Sequence, residues 1–166
     1  MNLIVKEMNM DYANEILHWS YSPPYDFYNI EYNDEALQEL LEGSYLAIVS
    51  KEGPLIGYFC TGKTAQVPIG SQFGAYPGGF LDIGIGMTPL MTGKGNGTMF
   101  FQFILDYLQS IDQTTPFRFT VAKFNQRAIR LYEKLGFERN CEFQRGTTSF
   151  ATMIQKSSKK EKTLHS

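Results

Sequence analysis

The spacing of apolar and polar positions changes several times along the chain, and each change marks an element. Residues 2–7 (NLIVKE) read as a short strand. Asn9 to Ser20 reads as a helix: Tyr12 and Ile16 are four apart, and Asp11 and Glu15 suit its first turns. Two prolines and polar residues between Tyr21 and Asn29 break it. Asp34 to Leu41 forms a second helix, with Asn33 as its N-cap and Gly43 near its end. Ser44–Ser50 and Leu55–Lys63 read as two strands of a hairpin turning at Lys51–Pro54. Residues 65–79 form a long Gly/Pro/Gln loop, the kind that is often functional or mobile. Phe80–Met87 is a strand stopped by Pro89, and Gly93–Gly97 is a glycine-rich turn. Thr98–Ile111 carries a broad apolar stripe of Met99, Phe100, Phe103, Ile104, Tyr107 and Leu108. Phe117–Ala122 alternates as a strand, and Asn125–Leu135 is a helix with Ala128, Leu131, Tyr132 and Leu135 on one side. Gly136 ends that helix as a left-handed C-cap would. Phe137–Phe143 and Ser149–Gln155 are the final strands, and residues 156–166 form a polar tail expected to be disordered.

This order, β α α β β β α β α β β, describes one α/β domain over residues 1–155, without internal repeat or linker. Residues 80–122 read as a parallel β-α-β unit with antiparallel strands on either side. A chain of 166 residues can bury a core without disulfides or metals, and 43% hydrophobic against 19% charged residues excludes general disorder. Cys60 and Cys141 are far apart and no CxxC or Cys/His ligand spacing occurs, so no metal site is expected. Cys60 reads as a buried small hydrophobe in an apolar strand. No signal peptide or run of ~20 apolar residues is seen, so no membrane association is expected and a cytoplasmic location is the default.

The net charge of −2 argues against a nucleic-acid binder, but it hides an asymmetry. Residues 1–50 hold nine acids and one base, a net −8, so the remainder of the chain is +6, of which +3 lies in the tail.

The glycines at 93, 95 and 97 stand between a strand and an amphipathic helix. They permit positive φ and close approach of a ligand to the backbone, and the helix start favours an anion such as phosphate, with Lys94 adding a cation. A Walker loop is excluded, because Lys94 is followed by Gly95 and position 88 is Thr88. A Rossmann loop is excluded because its third glycine would fall on Thr98. A tight turn that binds nothing stays open on spacing alone.

The run Met87-Thr-Pro89-Leu-Met-Thr92-Gly-Lys-Gly95-Asn-Gly97 resembles the pyrophosphate loop of the GNAT N-acetyltransferases, whose pattern is roughly V-x-P-x-x-[QR]-G-x-G-x-G. Asn125-Gln-Arg-Ala128-Ile-Arg-Leu131-Tyr132-Glu-Lys134-Leu-Gly136-Phe137 is similar to the family's N-x-x-A-x-x-L-Y-x-K-x-G-F segment. Thr92 departs from the usual Gln or Arg, which points to weaker phosphate contact and leaves the choice of acyl-CoA open. The resemblance implies the GNAT fold: a central mixed, mostly antiparallel, twisted sheet with one parallel β-α-β unit and flanking helices. It implies acetyl-CoA as co-substrate and transfer of acetyl to a primary amine by direct attack. By the same resemblance Ile85, Gly86 and Met87 lend backbone groups to the pantetheine arm, and an amide near Met87 polarises the thioester carbonyl. Gly93, Lys94, Gly95, Asn96, Gly97 and Thr98 surround the pyrophosphate, with Thr92 at the loop's entrance. Asn125 meets the pantetheine or its water, or caps its helix, or does both.

Tyr132 would protonate the leaving thiolate in the family's manner, or simply belong to the core. An amine of pKa ~10 arrives protonated and needs a base. Asp82 reaches the acceptor cleft if it shares a face with Phe80, Gly84 and Gly86; otherwise it is an edge charge or turn partner. A water chain to Glu31 or Asp26 is the alternative. The acceptor wall is expected in residues 19–32, where Trp19, Tyr21, Tyr25 and Tyr28 mix with Asp26 and Glu31, a set suited to an ammonium group. An ordinary satellite core is the plainer account of those aromatics. The expected partner is therefore a small-molecule or peptide amine. A non-catalytic CoA-binding sensor or interaction module is the rival class. The C-terminal strands either pair across a homodimer interface or close the sheet.

Overall fold

A computed structural model describes residues 2–156. The expected tail lies outside the described residues, apart from Lys156. Seven strands hydrogen-bond in the order β1-β2-β3-β4-β5-β7-β6. They are β1 (Leu3–Glu7), β2 (Tyr45–Ser50), β3 (Leu55–Thr61), β4 (Leu81–Met87), β5 (Phe117–Ala122), β6 (Phe137–Arg145) and β7 (Thr148–Gln155). The helices are α1 (Met10–Leu17), α2 (Asp34–Glu42), α3 (Gly97–Ile111) and α4 (Gln126–Lys134). The sheet is mostly antiparallel, and β4 with β5 forms its parallel pair. The α/β element order matches the reading from periodicity.

Contacts divide the described chain into two compact units. The first holds the residues up to Cys60 with Ile85–Met99; the second holds Thr61–Gly84 with the residues from Phe100 on. Both β4 and α3 contribute to each.

In the first unit, β1 pairs with β2 through Val5 and Ile48, and β2 pairs with β3 through Tyr45 and Cys60. Cys60 is buried, as its apolar run implies. The side chain of Asn9 accepts the Tyr12 N–H at 2.9 Å and that of Asn33 accepts the Ala36 N–H at 2.8 Å, so both helices start on an N-cap. One face of α1 (Ala13, Ile16, Leu17) packs with Leu40, Ala47, Val49 and Leu55. Full burial of each large aliphatic side chain here stabilises by about 1.5–3 kcal/mol. Helix α1 stops at Leu17, short of the expected Ser20. The N–H groups of His18 and Trp19 reach back three residues, to Glu15 and Ile16, which tightens and ends the last turn.

In the second unit, β5 lies between β4 and β7, with Asp82 opposite Arg118 and Thr120 opposite Thr152. The long loop is ordered by two 3-10 stretches, Gly62–Ala65 and Pro68–Phe73. The first of them, entered through Gly62 at φ 80, ends β3 at Thr61 rather than Lys63. The loop is tied down by Tyr76, whose hydroxyl accepts the Val67 N–H at 2.9 Å and meets Thr120 Oγ1 at 2.8 Å. Ala75 of the loop packs with Ala122, Phe143 and Phe150. Gly136, at φ 99, stands just past α4 in the left-handed conformation expected of it. The β6–β7 hairpin runs two residues further than expected at its tip, through the positive φ of Gly146.

Candidate functional site

The first unit holds the C-terminal half of β4 and the turn that follows. An added Cβ at Gly86 would lie 2.3 Å from the ring of Tyr58, so only glycine lets the strand backbone rest on that ring. Tyr58 sits beside Trp19 (ring centroids 6.0 Å) and Tyr45 (5.8 Å). The Tyr21 hydroxyl donates to the Met87 carbonyl at 2.7 Å, and the next N–H, that of Thr88, donates to the Ile56 carbonyl at 2.8 Å. Burial pushes the Tyr21 hydroxyl up to about 12. It pushes Tyr45 and Tyr58 up as well, with Cys60 adding to both shifts. All three hydroxyls are neutral at ordinary pH, as a phenol of pKa ~10 already is.

The turn after β4 closes on itself. The Met91 N–H donates to the Thr88 carbonyl at 3.0 Å, the Thr92 hydroxyl to the Pro89 carbonyl at 3.0 Å, and the Asn96 amide to the Met91 carbonyl at 3.1 Å. Gly93 and Gly95 take φ values of 70° and 80°, a region that side chains disfavour. Gly93, Lys94 and Gly95 are exposed, and Gly97 and Thr98 open α3 behind them. An exposed backbone turn of this shape, with a lysine at its tip and a helix start below, suits a phosphate group.

The expected acceptor wall separates into two sets within this unit. Trp19 and Tyr21 reach Tyr58 and Met87. Tyr25, Asp26 and Tyr28 belong to the 3-10 turn Tyr25–Tyr28, where Asp26 and Tyr28 are exposed, as is Glu31 further on. Asn29 links the sets, its side chain accepting the Tyr21 N–H at 2.8 Å.

The second unit holds the other expected residues. Asp82 is 4% exposed and Arg118 2%. Arg118 Nε donates to Asp82 Oδ1 at 2.6 Å and Nη2 to Oδ2 at 2.8 Å, while Gln66 donates to Oδ2 at 2.9 Å. Arg118 Nη1 holds the Pro77 carbonyl at 3.0 Å, and the guanidinium lies 4.9 Å from the Phe80 ring centroid and 5.2 Å from that of Tyr76. Phe80 and Asp82 thus share a face, and that face meets Arg118. Tyr132 is 6% exposed and stacks on Phe119 (4.4 Å) and Phe101 (5.5 Å). Asn125 caps α4 by accepting the Ala128 N–H at 3.1 Å.

Reading by motif missed Tyr45, Tyr58, Arg118 and Gln66. Arg118 left a signal: it is the one charge in an apolar strand, as Asp82 is in its own. Tyr45 and Tyr58 left none, since aromatic residues suit any strand. Among the described residues no group of three or more His, Cys, Asp or Glu could hold a metal ion, and no helix is long and apolar enough to cross a membrane.

The chain resembles the spermidine N-acetyltransferase of Vibrio cholerae solved with CoA and spermine: 19% identity, TM-score 0.71, covering 96% of this chain and 98% of that one. It also resembles an acetyltransferase (GNAT family) from Bacillus anthracis: 15% identity, TM-score 0.70, covering 95% and 96%. A spermidine N-acetyltransferase chimera from Vibrio cholerae and hSSAT gives 18% identity and TM-score 0.70, covering 97% and 99%. At such identities the likeness speaks for the fold. No curated protein matches the chain. The family model described as Acetyltransferase (GNAT) family matches residues 11–137, which takes in both the glycine turn and the α4 segment. The chain belongs to the GNAT acetyltransferase family.

Proposed function

We propose that this protein transfers acetyl from acetyl-CoA to a primary amine of a small molecule or peptide. The observation that carries the reading is the pinned end of β4 running into the exposed Gly93–Gly95 turn. In this reading the backbone N–H groups of residues 93–98 and the ammonium of Lys94 hold the pyrophosphate. Thr92 and Asn96 contribute chiefly by closing the turn, since their side chains bond its own carbonyls. Ile85, Gly86 and Met87 line the pantetheine with backbone, and Asn125 adds a polar contact while it caps α4.

The amine nitrogen attacks the thioester carbonyl; the C–N bond forms and the C–S bond breaks. No protein nucleophile is required. A backbone N–H near Met87 stabilises the charge that develops on oxygen. Tyr132 gives its proton to the departing thiolate. The proton lost by the amine has two routes, Asp82 directly or water leading to Asp26 or Glu31. Engagement of both Asp82 oxygens by Arg118 and Gln66 supports the second, because protonating Asp82 would leave a buried guanidinium unpaired. Trp19, Tyr21, Tyr25 and Tyr28, now with Tyr45 and Tyr58, supply aromatic faces and hydroxyls suited to an ammonium group. The spermine held by a structural relative fits the same chemistry.

The test is thiol release from acetyl-CoA with polyamines, aminoglycosides, amino acids and N-terminal peptides as acceptors. Product with at least one of them is expected. CoA binding without product from any would favour the sensor class, and no CoA binding would refute both.

A further inference from the structure

We propose that Tyr21 is a positioning residue, whose hydroxyl locks the Met87–Thr88 peptide and makes the acyl-activating end of β4 depend on an ordered 19–32 segment. This rests on the acetyl-transfer reading given above.

The Met87–Thr88 peptide is held at both ends. Its carbonyl accepts from Tyr21 at 2.7 Å and its N–H donates to Ile56 at 2.8 Å, so the peptide cannot turn without breaking both bonds. The Ile56 contact lies within the hairpin side of the unit and is local to the sheet. The Tyr21 contact spans 66 residues and comes from a segment of prolines and 3-10 turn. Tyr21 is itself anchored, because its N–H donates to Asn29 Oδ1 at 2.8 Å. One step back along β4, Gly86 rests on Tyr58 and has no side chain of its own to hold that position. The donor is a phenol, which is neutral at ordinary pH with or without the rise that burial adds. The Thr88 N–H is spent on Ile56, so this peptide acts by fixing the backbone beside the donor near Met87; such a donor works only when held in place, and displacement by ~1 Å can lower a rate ~100-fold.

The probe is acetyl-CoA alone. Water then takes the place of the amine: a C–O bond forms, the C–S bond breaks, and the proton leaves with the thiolate as thiol. For Tyr21→Phe, which removes only the hydroxyl, we expect thiol release at saturation to fall about tenfold, CoA affinity by calorimetry to stay within twofold, and the Thr88 amide to exchange hydrogen at least tenfold faster. Asn29→Ala, which does not touch Met87, should move the same readings in the same direction by about threefold. A purely structural role would instead lower melting temperature and CoA affinity together. Wild-type Thr88 exchange in Tyr21→Phe overturns the proposal whatever the kinetics. Failure of the unaltered protein to bind acetyl-CoA overturns the underlying reading, and this proposal with it.

Discussion

Size decides one position and a single hydroxyl another. At Gly86 even a methyl group meets the Tyr58 ring, and the strand must shift or the ring must leave its neighbours Trp19 and Tyr45. Overpacking of this kind costs about 1–3 kcal/mol. Gly86→Ala is expected to lose that much in urea denaturation, and Gly86→Ala with Tyr58→Leu to regain part of it; a fully stable single variant would contradict the close approach. Tyr132 is the opposite case, because its ring is stacked on Phe119 and Phe101 and the proposed acid role rests on its hydroxyl alone. Tyr132→Phe keeps the stack, so the melting temperature should hold while turnover falls by a factor on the order of 10²–10⁴. Unchanged turnover would remove the acid role and leave Tyr132 as core.

Across elements, a buried ion pair and a half-buried set of tyrosines join neighbouring segments. Asp82 and Arg118 stand opposite each other on β4 and β5, and the pair also holds Gln66 and the Pro77 carbonyl of the long loop. Removing one partner strands the other charge, so Asp82→Ala should cost ~3–5 kcal/mol of stability in denaturant titration. The double replacement with Arg118→Met should recover most of it. If Asp82→Asn instead erases the acidic limb of the pH–rate profile without destabilising the fold, Asp82 is the base. The second group is the tyrosine set on β2, β3 and the segment after α1. Unfolded tyrosines ionise near pH ~10, whereas burial raises Tyr21 to about 12 and lifts Tyr45 and Tyr58 further. Their stabilising contribution is complete below pH ~10 and is lost as pH rises through the folded values, because only the unfolded chain releases those protons easily. Urea midpoints should therefore drop between pH ~10 and ~12, and Tyr58→Phe should flatten the drop. An equal slope in both proteins would contradict a buried, neutral Tyr58.

For the whole molecule, residues 1–50 carry a net −8, which makes the proposed amine acceptor testable by salt. Asp26 and Glu31 are exposed in the segment read as the acceptor wall. A cationic acceptor should then show a KM that rises with salt as those charges are screened, and a weakly charged amine should not. Salt-independent KM for a polyamine would take the acids out of recognition. The sequence by itself determined the order of the elements, since helix and strand periods, asparagine N-caps and Gly136 are local signals. It also determined the family, because the glycine turn and the α4 segment are contiguous motifs whose backbone demands appear as glycine at fixed spacing. Only the tertiary structure decided which groups Asp82, Tyr21, Tyr45 and Tyr58 meet. Their partners lie far along the chain: Arg118 is 36 residues from Asp82, and Met87 is 66 from Tyr21. Neither hydrophobic period nor local spacing encodes a contact that forms only when distant strands are laid side by side.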